Sequence, residues 1–370
     1  MELALIAVAL FLAFNNGAND NFKGFATVWG SETLSYRQAL VLATLATAAG
    51  SVASLFLADT LVQQFSGRGL VPSAIASTPN FILSVGFGAV VTVFVATRLG
   101  FPISTTHALI GGLVGAGLGQ PGGTVNFEQL GSAFFVPLLL SPLLAAGLGL
   151  LLYKLFGQRM AQSASATNCV CVVTSELVVQ PSVMAGLRAH GALPLRRIAM
   201  PGLVIGASAS CDTPDTVARF STSALKAGLH IASAVAICFA RSLNDTPKLA
   251  AVLIAAQVFH PKMSIAAIAA LMAVGGLVFT RRVAETMSQR VTRLDDSQGL
   301  LANLVTAVLV LMASKFGLPV STTHVSVGSI AGVGSSAKTL NWQALRSVLL
   351  SWVATLPMAG ATAWLLVKLI

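Results

Sequence analysis

The sequence predicts an all-α polytopic membrane protein made of two inverted-topology repeats, with broken helices and re-entrant helical hairpins. Three observations lead to this fold class. Of the 370 residues, 55% are hydrophobic and only 9% are charged, whereas soluble domains carry about 25% charged residues. Apolar blocks of membrane-spanning length follow one another along the chain, which argues against the alternating strands of a transmembrane barrel. Two polar motifs also occur twice, in the same order.

The apolar blocks form two groups of four, separated by a polar stretch. They cover residues 3–30, 35–58, 81–118, 128–156, 221–257, 263–280, 299–334 and 341–369. The apolar piece within the polar stretch, Ile198–Ala209, is too short to cross a hydrocarbon core of about 30 Å. We therefore predict a first transmembrane repeat over 1–156, a cytoplasmic connection over 157–220 and a second transmembrane repeat over 221–370.

The two groups are copies of one unit. Phe14–Lys23 aligns with Phe239–Lys248, and both segments contain Asn-Asp with a Lys three residues after the Asp. Farther along, Gly100–His107 aligns with Gly317–His324, and both contain Pro, one apolar residue and Ser-Thr-Thr-His. Two motifs that recur in one order indicate an internal duplication.

The positive charges predict that the two copies have opposite orientations. The chain has 22 Lys and Arg against 12 Asp and Glu, and basic residues collect in cytoplasmic loops. The loop before the seventh block contains Arg281, Arg282, Arg290 and Arg293, whereas the equivalent first-half loop has only Arg68. We therefore predict a multi-pass protein of the cell (plasma) membrane with both termini outside. The basic balance then requires no nucleic-acid partner.

Each third block is predicted to be a re-entrant hairpin. Ser104–Leu118 has 15 residues and makes a helix about 22 Å long, and Ser321–Gly334 is shorter still. Pro102 and Pro319 end the preceding arms, and Ser-Thr-Thr is a typical helix start. The alternative is a pair of tilted full spans, but broken helices at corresponding positions of two halves are typical of transporters.

Asp20 and Asp245 are repeat partners that lie deep inside apolar blocks. A charge at the bilayer centre costs at least about 2.5 kcal/mol, so such a residue indicates a function. The preceding Asn19 and Asn244 add amide oxygens, and Asn15–Gly17 predicts unwound backbone with free carbonyls. These oxygen ligands predict a coupling-ion site, with sodium at Asp20 and Asp245 favoured over a carried proton.

Lys23 and Lys248 offer a simpler alternative, because each can pair with the aspartate three residues before it. Two matched copies favour the coupling-ion interpretation, so these lysines receive auxiliary roles. His107 and His324 are also assigned auxiliary roles, as packed imidazoles bonded to a neighbouring carbonyl rather than as proton relays. The sequence contains no nucleotide-binding loop, hydrolytic triad or metal cluster, so neither a cofactor nor an enzyme is predicted.

The repeated Ser-Thr-Thr motif predicts an anion site. Free N–H groups and the positive dipole end attract anions to a helix start, and hydroxyls add further donors. A single motif of this kind would be no more than a helix cap, but two caps facing each other from inverted halves make a closed site. Phosphate suits it, since its remaining proton can be donated to a carboxylate, which sulfate cannot do. The predicted phosphate ligands are Ser104, Thr105, Thr106, Ser321, Thr322 and Thr323.

At these motifs the sequence resembles the inorganic phosphate transporter (PiT) family of secondary carriers. Gly17–Asp20 matches the family's Gly-Ala-Asn-Asp signature, Asn244–Lys248 matches Asn-Asp-Thr-x-Lys, and both halves carry Pro-x-Ser-Thr-Thr-His. The resemblance implies cation-coupled uptake of inorganic phosphate, with the ion near the Asn-Asp pairs and phosphate at the Ser-Thr-Thr helix starts. The chain departs from many relatives at Asn21–Gly24, where they have Val-Ala-Asn-Ala, and at Ser242, where Gly is common.

The sequence as a whole predicts a secondary active transporter that imports inorganic phosphate, coupled to sodium or a proton, by alternating access. A permease for sulfate or for a metal-phosphate complex is the nearest alternative, and an anion channel is a distant one. The predicted partners are phosphate, the coupling cation and the lipid bilayer. The sequence leaves open whether the protein is a homodimer.

Overall fold

The computed structural model describes residues 1–57, 62–63, 65–67, 69–157, 169–179, 196–206, 212, 216–255, 257 and 259–370. The fold is mostly helical, at 78%. Among the described residues, eight helices are long and apolar enough to cross a membrane. The structure therefore confirms the predicted helical polytopic fold, to which the connection between the repeats adds a small sheet.

The helices of the two repeats follow each other in matching order. The first repeat contains α1 (Glu2–Asp20), α2 (Ala26–Gly30), α3 (Tyr36–Leu57), α4 (Ser73–Ala76), α5 (Pro79–Leu99), α6 (Thr105–Gly119) and α7 (Phe127–Gly157). The second contains α8 (Thr222–Ala255), α9 (Pro261–Phe279), α10 (Arg281–Glu285), α11 (Asp296–Lys315), α12 (Thr322–Ser336) and α13 (Trp342–Leu369).

The first helix breaks, but not where the sequence predicted. The predicted unwinding at Asn15–Gly17 is wrong, because α1 stays helical up to Asp20 and the chain turns over residues 21–25 before α2. The side-chain amide of Asn15 donates to the Phe11 carbonyl one turn back at 2.7 Å. A Cβ at Gly17 would lie only 1.9 Å from the Met272 carbonyl oxygen, so this segment packs as a tight helix against α9.

The second repeat has no break at the equivalent position. Helix α8 runs from Thr222 to Ala255 and includes Asn244, Asp245 and Pro247. The aspartates of the two copies therefore lie in different backbone contexts. Asp20 is the last residue of a helix, whereas Asp245 lies within a long one.

Both predicted hairpins are present. In each copy a long arm, α5 or α11, is followed by a tight turn and a helix of 15 residues, α6 or α12. The turns contain Gly100 at φ +78° and Gly317 at φ +65°, a left-handed conformation that glycine adopts without steric cost. Helices of 15 residues extend about 22 Å, less than the thickness of a hydrocarbon core.

The short helix of each copy packs on the last helix of the other copy. Helix α6 lies against α13, and α12 lies against α7. The contacts are made by small residues, as in membrane helix pairs that approach closely. A Cβ at Gly115 would lie 2.0 Å from the Gly360 carbonyl oxygen, and one at Gly332 would lie 2.1 Å from that of Ala146. These reciprocal contacts are what two interlocked inverted copies require.

The transmembrane helices form one compact unit, 1–157 with 229–370, and residues 158–228 form a second. In the second unit, β1 (Cys169–Val179) pairs antiparallel with β2 (Arg196–Gly206) and with β3 (Thr216–Ser221). The strand order is β2-β1-β3. Most of the predicted non-spanning piece Ile198–Ala209 therefore forms part of a strand. The cytoplasmic location of this connection stays a prediction.

Candidate anion site between the two hairpins

The hairpin helices begin with identical caps. The Ser104 hydroxyl accepts the backbone N–H of His107 at 3.2 Å, and the Ser321 hydroxyl accepts that of His324 at 3.3 Å. The two serines share the same extended backbone, with φ near −98° in both. The first N–H groups of each helix have no intrahelical partner. Both helix starts are buried, so they present donors inside the protein rather than to water.

The two helix starts meet. The Thr323 hydroxyl of the second copy donates to the Ile103 carbonyl of the first at 2.8 Å. In the reciprocal direction, the Thr106 hydroxyl lies 3.4 Å from the Val320 carbonyl oxygen. Each bond joins the third residue of one Ser-Thr-Thr run to the residue before the serine of the other. The structure therefore brings the predicted phosphate ligands of both halves to one place.

Both aspartates contact lysines at this place. The Lys23 ammonium contacts the Asp20 carboxylate and the Thr323 hydroxyl, and donates to the Ile103 carbonyl at 2.9 Å. The Asp20 carboxylate also accepts from the Asn16 amide at 3.1 Å. The simpler interpretation of the sequence, an aspartate paired with its lysine, describes this geometry.

The second copy has the equivalent arrangement. The Lys248 ammonium lies 3.4 Å from an Asp245 carboxylate oxygen and contacts the Asn244 amide oxygen. It also donates to the Thr106 hydroxyl and to the Val320 carbonyl, both at 2.9 Å. All four ionisable groups are at most 4% exposed. Such burial is tolerated only because each charge is paired and hydrogen-bonded.

Asn19 and Asn244 hold the first helix of each copy to its own hairpin. The Asn19 amide donates to the Thr97 hydroxyl and the Phe101 carbonyl, both at 3.0 Å, and its oxygen accepts the Ile103 N–H at 3.2 Å. The Asn244 amide donates to the Ser314 hydroxyl at 3.0 Å. These contacts fix the positions of the two asparagine side chains, and their role in binding a coupling ion stays a prediction.

Arg241 is a site residue that the sequence reasoning did not single out. It aligns with Asn16 of the first copy, and the two residues bond to each other, with Nη1 donating to the Asn16 amide oxygen at 3.1 Å. Its Nη2 donates to the Thr47 hydroxyl at 3.1 Å, and Nη1 lies 3.8 Å from Asp245 Oδ2. The guanidinium is fully buried. An arginine inside an apolar block is itself a signal of function, and this signal was available in the sequence.

The two histidines lie side by side, one residue beyond the phosphate ligands. The rings of His107 and His324 are 4.4 Å apart, centroid to centroid, and the His324 ring stacks on Trp352 at 3.8 Å. The Trp352 indole N–H donates to the Pro102 carbonyl at 3.0 Å. The rings thus pack where the two short helices meet, but His107 Nδ1 and His324 Nε2 are buried without a hydrogen-bond partner in the described structure. The auxiliary role of these histidines stays a prediction.

The described residues contain no group of three or more His, Cys, Asp or Glu side chains suited to a metal ion. The charges at the site are instead organised as three cations, Lys23, Lys248 and Arg241, around two carboxylates, Asp20 and Asp245. With all five ionised, the site has a net charge of +1. It is therefore suited to an anion.

Comparisons with known proteins identify the family of this chain. Residues 16–363 match the model of the phosphate transporter family. The chain is 26% identical to the chloroplastic inorganic phosphate transporter 2-1 of Arabidopsis thaliana, over 100% of this chain and 73% of that protein. It shares the fold of a solved structure titled the sodium-dependent phosphate transporter, with a TM-score of 0.75, 20% identity and coverage of 100% and 98% of the two chains. The chain belongs to the phosphate transporter family.

Proposed function

We propose that the protein imports inorganic phosphate, coupled to a co-transported cation, by alternating access. The observation that carries the proposal is the meeting of two capped helix starts, from opposite repeats, inside a buried site with an excess of positive charge. Helix N-termini and lysine ammonium groups both stabilise bound oxyanions. Family membership supports phosphate as the transported anion.

One buried oxygen without a hydrogen bond favours phosphate over sulfate. The buried Oδ2 atom of Asp245 accepts no hydrogen bond within the described structure. An anion that keeps a proton can donate it to this oxygen, and hydrogen phosphate keeps a proton whereas sulfate does not. A site built to receive such a donor can reject an analogue without it by as much as about 10⁴-fold. The sulfate alternative therefore predicts that this carboxylate is unimportant for selectivity.

Burial of the site supports alternating access over a channel. Each of the six predicted phosphate ligands is buried, with at most 4% of its surface exposed. A channel needs a continuous open path, whereas a carrier closes around its substrate and opens to each side in turn. The interlocking bonds between Thr323 and Ile103 and between Thr106 and Val320 would then break as the two halves rock apart.

A basic cavity beside the site supplies a route for the anion. It has a volume of about 810 Å³, and its lining includes the buried residues Asn15, Ala18 and Thr97. Its wall includes three arginines and one glutamate, namely Arg98, Arg281, Arg282 and Glu285. A cleft with excess positive charge raises the local concentration of anions. We propose this cavity as a vestibule, on the cytoplasmic side by the positive-inside rule, with both termini outside.

The electrical cost of import requires coupling. Moving a divalent anion into a cell at −100 mV costs about 4.6 kcal/mol, at about 2.3 kcal/mol per charge. At least two monovalent cations are needed to cancel this term. The sequence favours sodium as the cation, and protons are the alternative.

Reconstitution of the purified protein in liposomes tests the proposal. Labelled phosphate entry is measured first under an inward sodium gradient and then under a proton gradient alone, with unlabelled sulfate and divalent metal ions as competitors. The proposal expects saturable accumulation above equilibrium that a cation gradient drives and sulfate does not inhibit. Entry that only equilibrates would indicate a channel. Strong inhibition by sulfate would favour the other tetrahedral anion, and a requirement for divalent metals would favour the metal-phosphate complex.

A further inference from the structure

The two lysine ammonium groups occupy equivalent positions in the two copies. In each copy the Nζ atom contacts the aspartate three residues earlier and a backbone carbonyl before the serine of its own hairpin. Each also contacts the third residue of the Ser-Thr-Thr run of the other copy, which is Thr323 for Lys23 and Thr106 for Lys248. Ligands from both repeats therefore surround each nitrogen.

The ligands are the kind that bind a small hard cation. Carboxylate, carbonyl, hydroxyl and amide oxygens suit cations without a preference for nitrogen or sulfur. Lys23 Nζ has three such neighbours, from Asp20, Ile103 and Thr323. An ammonium group has three N–H donors, whereas a neutral amine has two, so three acceptors match the charged form. Lys248 Nζ has four oxygen neighbours.

We propose that Lys23 and Lys248 are built-in cations, which fill the two oxygen-lined sites at Asp20 and Asp245 and make sodium unnecessary there. This inference rests on the proposed anion site between the hairpins. It revises the expectation of sodium at the two aspartates, because a sodium ion would have to displace a buried lysine to reach either carboxylate.

Tethered cations change the coupling that the site allows. Together with Arg241 they give the site its net positive charge, so a monoanion is neutralised without any bound metal ion. A tethered cation does not travel with the anion, however, and supplies none of the electrical driving force. The cation that drives import then arrives as a proton on the anion itself, which requires no sodium site in the wild type.

The test compares sodium chloride with choline chloride at equal ionic strength, using the purified full-length protein. Phosphate binding, binding of radioactive sodium and thermal stability are measured for the wild type, for Lys23→Ala and for Lys248→Ala. Lys262→Ala, at an exposed lysine at the start of α9, is the matched control. The wild type and the control are expected to bind phosphate equally in both salts and to gain no stability from sodium.

The two site variants are expected to lose phosphate affinity by about tenfold or more in choline, because each removes a charged hydrogen-bonded group. They are expected to regain affinity and thermal stability in sodium, since the vacated oxygens can then bind the ion. Variants that sodium neither binds nor stabilises would overturn the proposal, as would sodium binding or sodium stabilisation of the wild type. The wild-type measurements decide the question even if both variants fail to fold.

Failure of the proposed function has a separate signature. A wild type that binds phosphate in neither salt would contradict phosphate transport, while the sodium measurements would still test the lysines. A wild type that binds phosphate only in sodium would support the transport proposal and overturn the built-in cations.

Discussion

The two copies of the repeat have lysines in similar surroundings, but they differ at the position seven residues before each lysine, which is Asn16 in the first copy and Arg241 in the second. Lys23 and Lys248 share three equivalent oxygen neighbours, and Lys248 has a fourth in Asn244. Asn16 and Arg241 are also equivalent in sequence, yet one is neutral and the other charged, and they bond to each other across the interface of the copies. A duplicated site thus gains a net charge through one residue, Arg241, whose counterpart in the other copy is neutral. Two arginines at this place would repel each other, whereas an arginine and an amide form a hydrogen bond.

The largest expected effect comes from neutralising the aspartates. Asp20→Asn and Asp245→Asn should both abolish phosphate uptake, because each leaves a buried lysine without its carboxylate. Breaking a buried ion pair typically costs about 3–5 kcal/mol. The loss of thermal stability should be larger for Asp245→Asn, since Asp245 lies beside both Lys248 and Arg241.

Uptake into liposomes and thermal unfolding of the purified variants measure these effects. Asp212→Asn, at an exposed aspartate of the second unit, serves as the control and should behave like the wild type. Full uptake by either site variant would contradict the role given to the carboxylates.

A smaller effect is expected from making the second copy resemble the first. Arg241→Asn removes the bonds to Asn16 and Thr47 and lowers the net charge of the site. Hydrogen bonds to charged groups contribute about 1.5–3 kcal/mol each, so phosphate affinity should fall by about tenfold or more. Arg241→Lys should restore part of the affinity. Isothermal titration with phosphate checks both variants, and an unchanged Kd in Arg241→Asn would assign the arginine to packing alone.

The smallest expected effect is the difference between two variants, each of which loses one of the bonds between the hairpins. Thr323→Val and Thr106→Val keep the side-chain shape and remove the hydroxyl. The Thr323 bond is 2.8 Å long and the Thr106 bond 3.4 Å, so Thr323→Val should weaken phosphate binding more. Both variants also lose a contact with a lysine, so the difference between them reports the bond between the hairpins. A single neutral hydrogen bond contributes about 0.5–1.5 kcal/mol, or roughly a twofold to tenfold change in Kd. If titration shows a larger rise in Kd for Thr106→Val than for Thr323→Val, the shorter bond is not the stronger one.

The hairpins were predictable because their signals are local. Pro102 and Ser104 are two residues apart along the chain, and so are Pro319 and Ser321. Each pair ends one helix and starts the next whatever surrounds it. The predicted unwinding at Asn15–Gly17 failed for the opposite reason. The weak helix propensity of that segment is overridden by its close packing against α9, which no local signal reports.

By itself, the sequence determined the membrane class, the duplication and the residue types at the site, because hydropathy and repeated motifs are properties of the chain order. Only the tertiary structure decided which groups meet. The pairing of Thr323 with Ile103, of Thr106 with Lys248 and of Asn16 with Arg241 joins residues far apart in sequence. Such contacts follow from the packing of one repeat against the other. That packing also decided that lysines reach the oxygens around Asp20 and Asp245.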